Sequence, residues 1–120
     1  MADEITIKPY VKLLKGHHTQ TIAPTAYTID QTGIGAYHNV QNIGTSEENI
    51  ATFGDVGTEG WCYMRNLDTT NYVQWGPATA SYVGRLEAGE TASFRMEPST
   101  TLYLKANTAA CEVEIWVAED

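Results

Sequence analysis

The segment "TLYLKANTAACEVEIWVA", residues 101–118, decides the reading of this chain. From Cys111 onward, Cys111, Val113, Ile115 and Val117 alternate with Glu112, Glu114 and Trp116. Successive side chains on a strand point to opposite faces, so period-2 alternation places the first set on a core face and the second outward. The preceding run puts Leu102, Leu104 and Ala106 inward, with Thr101, Tyr103 and Lys105 outward. "ANTAA" between them has no periodicity and reads as a connector.

The same period recurs upstream. "TASFRM" sets Ala92, Phe94 and Met96 against polar neighbours, and "EITIK" and "AYTID" (residues 26–30) repeat the pattern briefly. "LEAGET" (residues 86–91) is a turn in which Gly89 can take a positive φ at no steric cost. "EPST" and "ANTAA" divide the last three strands into an expected meander, while "IGTSEEN" and "FGDVGTEG" are further connectors. "VKLLKG" (residues 11–16) suits a helical turn or a strand equally. The rhythm predicts an all-β chain: an antiparallel β-sandwich or jelly roll of about eight short strands, since strands spaced by roughly 8–12 residues with turn signals mark such folds. At 120 residues the chain is one globular domain, expected as a sandwich over 21–120 preceded by an arm or edge strand over 1–20.

Composition narrows function. Fifteen Asp and Glu against seven Lys and Arg give a net charge of −8, and no cation lies between Lys15 and Arg65. Nucleic acid is an unsuitable partner, because its binding depends on clustered cations that neutralise phosphates. "MADEITIK" has neither the form of a secretory signal nor a membrane span, so no membrane role is expected. Cys62 and Cys111 match no metal or redox spacing and each sits in an apolar run, which points to buried free thiols.

The candidate chemistries are each met by a structural reading. Gly54, Gly57 and Gly60 would suit a phosphate loop only before a helix, whereas "WCYMRNL" is a strand and Asp55 and Glu59 would repel the anion. His17 and His18 are adjacent and diverge on a strand, and His38 stands apart, so no metal site is expected. No G-x-S-x-G elbow, catalytic thiol or pocketed carboxylate pair is legible, so no catalytic residue and no cofactor is assigned. In "NLDTTNYVQWG" (residues 66–76), Asn66, Asp68 and Asn71 lack the order of a calcium loop. They fit side chain-to-backbone bonding, with "DTT" turning a hairpin between "YMRNL" and "NYVQWG". Trp61, Tyr63, Tyr72, Trp75, Tyr82 and Trp116 could form a platform for sugar rings or anchor a protein interface.

The run "QNIGTSEENIATFGDVGTEGWCYMRNLDTTNYVQWG", followed by "GRLEAGETASFRMEP", "LYLKANTAA" and "VEIWVAED", resembles small virion structural proteins of tailed bacteriophages. An NLD-x-TNY turn running on to glycine, an L-x-AGE hairpin and a Y-x-KA strand, in this order over about residues 38–120, carry the likeness. The resemblance implies a β-sandwich component of the virion without catalytic residues. Its expected role is a capsid decoration (cement) protein that binds and stabilises the head, with tail, neck or fibre association as the alternative within that class. The major capsid protein or other virion proteins would be its partners, in homo-oligomeric copies. A carbohydrate-binding sandwich is the alternative from another class. The expected interface residues are Lys8, Lys12 and Lys15 in the cation-rich N-terminal segment, together with Trp75.

Overall fold

A computed structural model describes residues 4–49, 53, 54 and 56–120, with the side chains of Glu48 and Asn49 excepted. Twelve strands and no helix occur among these residues. The chain divides into two compact units, Met1–Thr32 and Gly33–Asp120. The boundary expected at residue 20 instead falls inside a strand, because His18–Ile22 pairs back onto the segment before it.

The first unit is a two-stranded ribbon. Strands β1 (Ile5–Ile7) and β4 (Tyr27–Ile29) pair antiparallel, and between them β2 (Val11–Lys15) pairs with β3 (His18–Ile22). The ladder breaks where Pro9 and Pro24 withhold backbone donors. The tip is a two-residue turn with Gly16 at φ 58°, a conformation that glycine adopts without penalty. "VKLLK" is thus a strand. Every residue from Lys8 to Thr28 is exposed.

The second unit is a sandwich of two four-stranded antiparallel sheets. Its strands are β5 (Ala36–Ile43), β6 (Glu48–Asn49), β7 (Glu59–Asn66), β8 (Val73–Gly76), β9 (Gly84–Leu86), β10 (Thr91–Arg95), β11 (Tyr103–Ala106) and β12 (Cys111–Glu119). One sheet runs β10-β7-β12-β5 and the other β6-β11-β8-β9, so only β8 and β9 are joined within one sheet. The other connections each carry the chain from sheet to sheet, the connectivity of an eight-stranded jelly roll.

Three local expectations are corrected by this topology. "YMRNL" and "NYVQWG" do not form a hairpin: β7 lies between β10 and β12, whereas β8 lies between β11 and β9. The last three strands are no meander, because β10 and β12 both flank β7 while β11 belongs to the opposite sheet. "LEAGET" is the turn expected, with Gly89 at φ 80°, but it joins two sheets, so the L-x-AGE hairpin is not formed. Turn residues favour a reversal of direction without specifying which strand the chain meets next.

The core is the alternation made solid. Ile43, Cys62, Met64, Val73, Leu86, Leu104, Ala106, Cys111, Val113, Ile115 and Val117 form one buried cluster fed by both sheets. Burying each large aliphatic side chain contributes about 1.5–3 kcal/mol. Both cysteines are free and buried. Burial pushes the Cys62 thiol up to about 12.

Candidate functional site

Asn66 is fully buried at the end of β7 and ties it to the end of β9 and to the loop before β8. Its amide donates to the carbonyls of Asn71 (2.9 Å), Leu86 (3.1 Å) and Glu87 (3.4 Å), and its Oδ1 accepts from the Asp68 N–H (3.0 Å). Asp68 in turn accepts from the N–H groups of Thr70 (2.9 Å) and Asn71 (2.6 Å). Those backbone bonds, Asn71 first and then Thr70, hold its carboxyl below the ordinary range. This polar run is therefore a corner between sheets. The same use of acid groups recurs at Gly57, whose N–H donates to Glu119 Oε2 at 2.7 Å. Ile34 and Gly35 donate to the other Glu119 oxygen. Asp55, which belongs to the same glycine-rich stretch, lies outside the described residues.

The aromatic candidates separate into three places. Trp75, expected at an interface, points into the sandwich and stacks on Phe94 of the opposite sheet, with centroids 5.1 Å apart and planes 2° from parallel. Its ring also lies over Gly84 on the neighbouring edge strand, where a Cβ would come within 2.4 Å of it. Trp75 is a bridge between sheets, its half-buried ring meeting both Phe94 and Gly84. Tyr72 faces outward with Arg85 3.9 Å above its ring. Tyr82 Oη is buried without a hydrogen bond, and its pKa is raised by burial and then by the Glu47 carboxylate.

Trp61, Tyr63 and Trp116 share the outer face of the β10-β7-β12-β5 sheet. Tyr63 pairs directly with Trp116, and Trp61 with Arg95. All three are half-buried. His38 pairs with Trp116 on the other side, and its Nε2 lies 2.8 Å from Glu114 Oε2. Parity within each strand already opposed Trp61 and Tyr63 to Cys62 and Met64; bringing them to Trp116 required the pairing of β7 with β12.

Lys8, Lys12 and Lys15 lie on the ribbon and are exposed. Their companions were the missed feature. Tyr10, Val11, Leu13, Leu14, Ile22 and Tyr27 are six of the ten large apolar side chains exposed among the described residues. Val11, Leu13 and Ile22 share one face, as the pairings Val11↔Ile22 and Leu13↔Gln20 require. His17 sits in the ribbon turn and His18 opens β3. No group of three His, Cys, Asp or Glu side chains converges to hold a metal ion among the described residues.

The class these features define is an eight-stranded antiparallel jelly-roll sandwich preceded by a β-ribbon. Comparison with protein-family models, curated proteins and solved structures finds no match for the chain.

Proposed function

We propose that this chain is a non-enzymatic structural protein of a tailed-bacteriophage virion, coating the assembled head as a decoration protein and stabilising it through contacts with the major capsid protein. The observation that carries the reading is the ribbon. Twenty-one consecutive residues, Lys8–Thr28, are exposed, and among them β2 and β3 hold an unbroken ladder of five pairs. An isolated two-stranded hairpin is marginally stable in water, and exposed apolar patches mark surfaces that other molecules cover. A jelly roll that keeps its own core and offers a separate sticky element suits a protein that adds to a repeated shell. Many weak contacts on such a shell act together through multivalency.

Quantifying the chain in purified virions tests this. A decoration protein gives copy numbers on the scale of the major capsid protein, and heads lacking it melt at lower temperature, because a component that binds only the assembled state stabilises it. A handful of copies per particle assigns it to the tail or neck instead, and its absence from virions overturns the proposal.

A carbohydrate-binding role has one observation in its favour, the row of Trp61, Tyr63 and Trp116 on one sheet face. Sugar rings stack on such surfaces, so oligosaccharide titration would quench tryptophan emission and Trp116→Ala would remove the response. Trp75→Ala is the wrong probe, because Trp75 belongs to the interior.

A further inference from the structure

The molecule carries two unsatisfied elements that match each other. The first is the ribbon, with its apolar face of Val11, Leu13 and Ile22 and its three lysines. The second is β5, an edge strand of eight residues, "AYHNVQNI", in its sheet. Edge strands are usually blunted by lysine, proline, a bulge or brevity. β5 has none of these: it is unbroken opposite β12, contains no Asp, Glu, Lys, Arg or Pro, and leaves Val40 exposed. The other edges are shorter: β6 has two residues, β9 three and β10 five.

Charge separates the two elements. Lys8, Lys12 and Lys15 lie in Ile5–Ile29 with no carboxylate among them, whereas Gly33–Asp120 holds twelve of the fifteen acids and four of the seven basic residues, a net −8. Beside β5, on the outward face, stand Glu112 opposite Asn42 and Glu114 opposite Val40. A cationic ribbon and an uncharged edge flanked by carboxylates are complementary in charge as well as in hydrogen bonding.

We propose that the ribbon of one copy docks by strand addition along β5 of a second copy, and that this exchange builds the homo-oligomer. The proposal deepens the multi-copy virion reading and rests on it for its biological setting. Donor and acceptor are different surfaces, so each contact is head-to-tail, the kind of contact that builds a ring where the rotation between copies closes. Lys12 and Lys15 project from opposite faces of β2, so one of them stands on the Glu112 and Glu114 side of the acceptor sheet, and Val11, Leu13 and Ile22 extend one face of that sheet.

Complementation between two full-length variants tests this. Leu13→Lys with Ile22→Lys disables the donor at exposed positions, and Val40→Lys disables the acceptor edge at another. Circular dichroism and melting of each variant establish that the sandwich is folded. Light scattering across a dilution series is expected to show an oligomer for the unmodified protein and a monomer for each variant. Mixing the two variants restores a 1:1 complex, because one retains the acceptor and the other the donor. An unmodified protein that stays monomeric, variants that oligomerise normally, or a mixture that does not associate each overturns the exchange. If the monomeric chain still binds purified heads through its ribbon, a shell protein is the acceptor and the virion reading survives alone. If the chain oligomerises as described yet is missing from virions, the exchange stands and the virion reading falls.

Discussion

Replacing Asn66 by alanine tests the corner on which the sandwich turns. The substitution removes the donor that serves the Leu86 carbonyl in the buried interior, together with the part-buried Asn71 carbonyl and the acceptor for the Asp68 N–H. A buried polar group left unsatisfied costs about 1–3 kcal/mol, whereas an exposed one regains water. Counting the Leu86 carbonyl at the middle of that range and the two part-buried groups near its lower end gives a loss of about 3–4 kcal/mol. Small domains are stable by only about 5–15 kcal/mol in total, so this is a large fraction. For a unit of this size the melting temperature falls by roughly 4–8 °C per kcal/mol, which puts the expected drop at about 12–30 °C.

The assay is urea unfolding of the full chain followed by tryptophan emission, with Asn107→Ala as the control. Asn107 accepts from the Tyr72 N–H at 2.9 Å, a bond of the same kind at an exposed site. Its loss is expected to cost under about 1 kcal/mol. Both variants keep the slope of the unfolding transition if only the native state is affected. The reasoning fails if Asn66→Ala destabilises by less than 1 kcal/mol on this scale, or by no more than the control.

Three further outcomes follow from the interior and its carboxylates. Gly84→Ala is expected to cost about 1–3 kcal/mol, because Phe94 prevents the Trp75 ring from moving away from the new methyl group; in a Trp75→Ala background the same change costs less than about 0.5 kcal/mol, and equal costs in a double-mutant cycle would refute the packing argument. Cys62 and Cys111 should be inert to a thiol reagent in the native state and both titrate in denaturant, since burial raises both thiols; labelling of the folded protein at the rate of a free thiol would contradict their placement. Acid should weaken the sandwich through Asp68 and Glu119, whose carboxyls backbone N–H groups hold below their ordinary 3.8 and 4.5. Their contribution is complete above those ordinary values and disappears as pH falls through the lower folded-state values, so Asp68→Asn with Glu119→Gln should flatten the acid limb of a melting-temperature profile, and an unchanged limb would count against it.

Much of the jelly roll was legible because core faces impose a strict period. Cys111, Val113, Ile115 and Val117 had to share a face, and they form the centre of the buried cluster. Sheet membership was illegible for a physical reason: "LDTTN" satisfies its own backbone locally, through Asp68 and Asn66, whichever strand follows. The partner is chosen by long-range pairing, such as Tyr63 with both Ser93 and Trp116. The ribbon hid for the opposite reason. A strand exposed on both faces keeps neither wholly apolar, so in "VKLLK" the alternation of Val11, Lys12 and Leu13 is broken by Leu14 and Lys15. "KGHH" did contain a turn signal, with glycine where positive φ was needed. Trp75 was read as surface because half-burial leaves no mark in sequence, and its role depends on Phe94 from the other sheet.

The acidic composition acquires a second meaning from the connectivity. A chain that changes sheets at nearly every connection must satisfy many backbone donors at corners, where no ladder reaches them. Among the described residues of the sandwich, carboxylates accept backbone N–H bonds at such places: Glu47 from Ala80, Glu59 from Ser99, Asp68 from Thr70 and Asn71, Glu90 from Glu87, and Glu119 from Ile34, Gly35 and Gly57. Two of them hold the residues whose backbones are least relaxed, Ala80 at φ 58° and Ser99 at φ 66°. The surface ion pairs of Glu87 with Arg85 and of Asp120 with Arg95 carry little, since such pairs contribute about 0–1 kcal/mol each. Negative charge in this chain therefore does more than keep copies apart in solution. It closes the corners of the sandwich, and the lysines excluded from that work are concentrated on the ribbon, where they are available to a neighbour.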